Sequence, residues 1–191
     1  MSARFLLLAT LLVFAAGPSP AQTNSVVSVV GTVDRIDAAT ISVKAEGGGV
    51  ESLRLAPDLL VLQSRAVTLA DIKPNDFIAS AAVRGTDRKL HSTELRIFPE
   101  ALRGVGEGQR PMSDPSQTMT NATVTGVAIV SGSNTIKVRF EGGESELVVD
   151  PGIPVTRIDT VDRSLVRAGA RVQVRGVRAA DGAIVNRITL Q

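Results

Sequence analysis

Thr40-Ile41-Ser42-Val43-Lys44 and Thr135-Ile136-Lys137-Val138-Arg139 are nearly the same five residues written twice, at a separation of 135 − 40 = 95. Each alternates polar and apolar residues with the period of a half-buried strand. Each is followed by a Gly-rich turn, Glu46-Gly47-Gly48-Gly49 or Glu141-Gly142-Gly143. Working outward, Gly31-Thr32-Val33 overlays Gly126-Val127-Ala128 at the same offset. After a one-residue deletion the match continues at 94, pairing Leu53 with Leu147, Pro57 with Pro151, Val61 with Val155, Ile72 with Val166, Ile78 with Val172 and Asp87 with Asp181. His91 then overlays Val185, and a second gap pairs Leu95-Arg96-Ile97 with Ile188-Thr189-Leu190. A period this long is a duplicated domain and not a solenoid, which needs three or more units.

Within each half the texture is β. Ser52-Leu53-Arg54-Leu55 and Arg171-Val172-Gln173-Val174-Arg175 alternate as strands do, and Ser131-Gly132-Ser133-Asn134 and Ala180-Asp181-Gly182 read as turns. Thr68–Ile72 and Asp162–Val166 read as single helical turns, each opened by a capping residue. Five or six short strands per half bury most apolar surface if the sheet closes on itself, which also removes exposed edges. The expected architecture is therefore all-β: two tandem small barrels over residues 22–98 and 120–191, joined by a Gly/Pro-rich linker over 99–119.

The order Gly31-Thr32-Val33-Asp34-Arg35-Ile36-Asp37, Thr40–Lys44, Asp71-Ile72-Lys73-Pro74-Asn75-Asp76-Phe77-Ile78 and Val83-Arg84-Gly85-Thr86 resembles the OB-like β-barrel repeats of secreted bacterial proteins, grouped only as a domain of unknown function. Leu165–Gly176 carries the same pattern in the second half. The resemblance implies an OB-like fold and an extracytoplasmic location, and it brings no activity. Asn75 stands where the pattern has Gly, and Asn tolerates the same left-handed turn.

The first 21 residues read as a signal peptide: Arg4, an apolar run from Phe5 to Ala16, then Gly17-Pro18-Ser19-Pro20-Ala21, with Ser19 and Ala21 placed for cleavage. That predicts a periplasmic or secreted protein, with no stable membrane anchor once the leader is cut. Removing Arg4 leaves 20 basic and 19 acidic residues, a formal +1, so charge gives no argument for nucleic acid. The chain has no Cys, no Trp and no Tyr, and beyond the leader only Phe77, Phe98 and Phe140. Disulfides and thiolate sites are excluded, and the aromatic platforms that grip bases or sugars are missing. Nucleic acid is therefore not an expected partner.

Few residues are left for chemistry. His91 is the only histidine, no Gly-x-Ser-x-Gly elbow is present, and no phosphate or cofactor fingerprint occurs. Glu141, Glu144 and Glu146 read as a solvated hairpin face. No catalytic residue and no cofactor are expected, and the chain reads as not an enzyme. Two binding readings stand. One is a non-catalytic interaction module for a protein or anionic cell-envelope partner, using Arg171 and Arg175 on one strand face with Arg167 and Arg178 near its ends. The other is a small-ligand or copper-type metal carrier in which the linker folds over a site, with His91, Met112 and Met119 as the soft ligands. Sequence fixes neither the oligomeric state nor whether the barrels pack together or exchange strands.

Overall fold

The computed structural model describes residues 25–130, 133–179 and 182–191. The predicted signal peptide lies outside them, as do Ser131, Gly132, Ala180 and Asp181 of two predicted turns. The described chain is all-β. Its strands are β1 (Ser25–Ile36), β2 (Thr40–Ala45), β3 (Val50–Val67), β4 (Phe77–Arg84), β5 (Leu90–Ile97), β6 (Gly108–Pro111), β7 (Gln117–Val130), β8 (Ser133–Phe140), β9 (Gly143–Val149), β10 (Val155–Thr160), β11 (Arg171–Ala179) and β12 (Gly182–Leu190). The two expected helical turns are single 3-10 turns at Leu69–Asp71 and Arg163–Leu165. Thr68 and Asp71 cap the first reciprocally, and Asp162 caps the second by accepting from the Ser164 N–H at 2.8 Å. After each turn the chain reverses through a left-handed residue, Asn75 at φ 73° and Gly169 at φ 87°. Those two are equivalent (75 + 94 = 169), so Asn75 does in the first half what Gly169 does in the second.

Strand pairing corrects the expected one-barrel-per-half arrangement. β1 pairs β2, β2 pairs β3, β3 pairs β12 in parallel, β12 pairs β11, and β11 returns to β1, which closes a five-strand ring. A second ring closes through β7, β8, β9, β5 and β4. Each ring thus takes three strands from one half of the sequence and two from the other. The local cause is β3, which runs on for 18 residues. Between Val50 and Thr68 there is no Gly or Asn to turn it. It carries Pro57 in a bulge, where Leu55 opposes Val185 and Leu60 opposes Arg187. Its second part leaves the first ring and pairs antiparallel with β10, from Leu62 against Thr160 to Val67 against Val155. The chain is thereby delivered to the second ring before it can close the first. Exchange of equivalent elements leaves every local pattern satisfied, which is why it costs little.

The pairing also moves the repeat's first strand. Val33 opposes Val43, and Val124 opposes Val138. Val33 therefore corresponds to Val124 at an offset of 91, and Gly31 to Ala122, not Gly126. The β7–β8 hairpin is four residues longer than the β1–β2 hairpin, which absorbs the difference from 95. Likewise Ile184 opposes Arg54 as His91 opposes Val148. His91 thus matches Ile184 at an offset of 93, not Val185.

Each ring has its own apolar core. Val33, Ile41, Val43, Val172, Val174, Val185 and Ile188 fill the first, and Ile78, Leu95, Ile97, Val124, Ile136, Val138 and Leu147 the second. Fully burying each side chain of this kind contributes about 1.5–3 kcal/mol. A third cluster, Leu62, Leu102 and Ile158 with Leu60 and Phe98 against it, lies along the β3–β10 ribbon and belongs to neither ring. Leu102 comes from a 3-10 turn at Glu100–Leu102. The segment expected as a linker over 99–119 is therefore docked at Leu102, pairs through β6 with β7, and from Gln117 is already strand.

A candidate anion-binding cleft between the rings

Two equivalent rows of residues run beside the third cluster. In the first ring the row is Val30, Gln173, Thr189 and Leu62; in the second it is Asn121, Ala79, Arg96 and Thr156. The cleft between them has a volume of about 240 Å³. Its apolar side is Leu62, Phe98, Leu102, Val105 and Ile158, and its polar side includes Arg96, Arg175, Arg187 and Asn121. Segment 99–119 supplies Leu102 and Val105, so it forms part of the cleft wall.

Arg175 and Arg187 stand directly opposite each other on β11 and β12. Like charges at a cross-strand position are destabilising unless something neutralises them. Their equivalents in the other ring are Ala81 (175 − 94) and Glu94 (187 − 93), which also face each other. Symmetry is thus broken at this position, from Ala and Glu to two arginines. Neither arginine makes an ion pair or hydrogen bond among the described residues, whereas Arg96 lies 3.7 Å from Glu94. Burial holds the Arg187 guanidinium below its ordinary proton affinity, and the neighbouring Arg175 charge adds to this. Both observations say that positive charge is concentrated here at a cost. Asn121 is buried, and its amide donates to the Val105 carbonyl at 3.0 Å. That contact fixes the orientation of the amide and leaves Oδ1 buried with no donor.

The arginine stripe predicted from sequence is divided by the fold. Arg175 belongs to the cleft. Arg171 is ion-paired with Glu46, Arg167 donates to the Ser164 carbonyl at 3.1 Å, and Arg178 lies at the far end of β11 opposite Ser25. Arg187 and Arg96 were missed because they sit on other strands, where only the pairing register brings them near Arg175. A signal was present: Arg187 replaces an acidic residue of the first half.

The candidate copper ligands are not gathered. His91 Nδ1 lies 2.9 Å from Asp150, and Nε2 lies 3.2 Å from Asp87, so both ring nitrogens are engaged. Those carboxylates raise its proton affinity, Asp150 first and Asp87 second. Met119 lies in β7 opposite Ala81, while His91 lies in β5 opposite Val83. β4 lies between them and they are offset by two residues along it, so their backbones are about 12 Å apart, and both nitrogens of His91 already face carboxylates. The Met112 N–H closes a loop to the Gln117 carbonyl at 2.9 Å. Among the described residues no group of three or more His, Asp or Glu is placed to hold a metal ion. Glu144 and Glu146 form cross-strand ion pairs with Arg139 and Lys137 at 3.3 and 3.4 Å, as a solvated hairpin face does.

No protein-family model, curated protein or solved structure matches this chain. Among the described residues no helix is long and apolar enough to cross a membrane.

Proposed function

We propose that the protein is a non-catalytic binding module of the periplasm or extracellular space, built from two OB-like barrels of duplicated origin, which holds an acidic group in the cleft between them. The observation that carries this reading is the facing pair Arg175 and Arg187, with no acidic partner among the described residues, where the other ring has Ala81 and Glu94. An anion between two guanidinium groups accepts charge-assisted hydrogen bonds and removes their repulsion. The leader-like N-terminus supports the compartment, and the lack of a nucleophile–base pair in the sequence supports the non-catalytic part. The shortage of aromatic residues argues against nucleic acid.

Thermal unfolding tests the reading. Low-millimolar sodium sulfate raises the midpoint of the wild type above that in sodium chloride of equal ionic strength, as binding to the folded state requires. The Arg175→Gln/Arg187→Gln variant loses that difference, while Arg171→Gln keeps it. Equal responses in all three proteins sink the assignment of the anion to this cleft.

A further inference from the structure

The cleft has two unlike sides, and together they define a class of ligand. We propose that it takes a short amphipathic anion: one negatively charged head held by Arg175 and Arg187, and a single unbranched apolar tail lying on Leu62, Leu102, Val105 and Ile158. This rests on the anion-binding reading above and adds the tail.

Five observations lead there. The apolar side is the third cluster itself, whose Leu62, Leu102 and Ile158 are 2 %, 4 % and 6 % exposed, yet all three line the cleft. A purely ionic contact with a protein surface would not require arginines beside such a wall. Arg96 of the charged side has Glu94, but Arg175 and Arg187 have no counter-ion among the described residues, so the head is an anion. The volume, about 240 Å³, falls below the roughly 300–1,000 Å³ of pockets for drug-sized ligands, which suits one short tail better than the bulk of a two-chain lipid. Asn121 adds a second polar point: its buried, donor-less Oδ1 suits a head that also carries an O–H or N–H. Val105 is the half-exposed lip of the wall, 46 % accessible, and gives a tail its way in.

The test is calorimetry of butyrate, hexanoate and octanoate, with 1-octanol as the uncharged control, on the protein isolated from its own host and dialysed. Affinity is expected to rise about fourfold per added methylene, the ratio that burial of one CH₂ sets, until the cleft is full. Octanoate is expected to bind more tightly than 1-octanol, and Arg175→Gln/Arg187→Gln to abolish that advantage. Val105→Trp occupies the lip without touching the arginines; it is expected to remove octanoate binding and to keep the sulfate response. Equal affinity across the three carboxylates, with the sulfate response intact, overturns the amphipathic ligand and leaves the anion site standing. Octanol binding as tightly as octanoate, or octanoate binding unchanged in the double arginine variant, overturns it as well. Loss of both the carboxylate and the sulfate responses in wild type overturns this inference and the reading beneath it.

Discussion

Ser64 of β3 lies opposite Ile158 of β10 in the ribbon that joins the two rings, and the two residues hold the same place in their halves of the sequence (158 − 64 = 94). The ribbon therefore has an internal two-fold relation centred on this pair. Val67 against Val155 maps onto Val61 and Val161, whose backbone hydrogen bond is 2.9 Å. An element paired with its own equivalent is the signature of strand exchange, here within one chain. It also places the cleft where the two halves meet.

Cutting the chain between the halves should not separate them. A protease site placed at the exposed Ser113-Asp114 turn leaves every ring with strands from both fragments. The nicked protein is expected to elute as one species in gel filtration and to fall apart only in denaturant. Two fragments eluting separately without denaturant would contradict the exchanged pairing.

How much of this was readable beforehand follows from what sequence encodes. Strand positions were readable because alternation such as Thr40–Lys44 and turn residues such as Asn75 and Gly142 are local properties. Partner choice was not, because β1 presents the same pattern to β4 as to β11. One clue favoured exchange: the run from Leu53 to Thr68 contains no Gly or Asn to reverse it. The site was legible only in Arg175. Arg187 and Arg96 lie at sequence distances of 12 and 79 residues from it, and nothing short of the register joins them.

The second ring carries a buried polar pair that tests the energetics of its core. Ser80 and Ser92 are 0 % and 2 % exposed, and their hydroxyls are 2.9 Å apart; the first ring has Val174 and Val185 there (80 + 94, 92 + 93). Removing the Ser92 hydroxyl leaves Ser80 only a long 3.4 Å bond to the Ala81 carbonyl, so Ser92→Ala is expected to cost about 1–3 kcal/mol. Adding Ser80→Ala should then cost much less than it does alone. Urea unfolding of the two single variants and the double variant measures the coupling, and strict additivity would mean the hydroxyls do not support each other.

His91 should give stability a slope near neutral pH. It bridges Asp87 of its own hairpin and Asp150 beyond β9, across the short parallel seam of β5 and β9 that closes the second ring. Its folded-state proton affinity is raised above the ordinary value of 6.5 by Asp150 and then Asp87. A raised value means the stabilisation is complete below the unfolded value and is lost as pH rises through the folded one. The Asp87 carboxyl is held low, by the Lys89 N–H first, so its own contribution fades only in acid, outside that window. The wild type is expected to melt higher at pH 5.5 than at pH 8.5, relative to His91→Gln. Parallel pH profiles for the two proteins would show that the bridge contributes nothing.

Arg187→Glu separates stability from binding most sharply. The substitution restores at this position the residue type of its equivalent, Glu94, and places a carboxylate opposite Arg175. Replacing a like-charge cross-strand pair by an opposite pair is expected to stabilise the fold by about 0.2–1 kcal/mol at low salt, less as salt screens a partly exposed site. The same change removes the anion's second guanidinium and adds a repelling charge, so the sulfate-dependent rise in melting temperature is expected to vanish. Higher intrinsic stability with lost response would mark the two arginines as held against the fold's preference for the sake of a ligand. A variant that is less stable and still responds to sulfate would mean that Arg187 serves the fold and that the anion binds elsewhere.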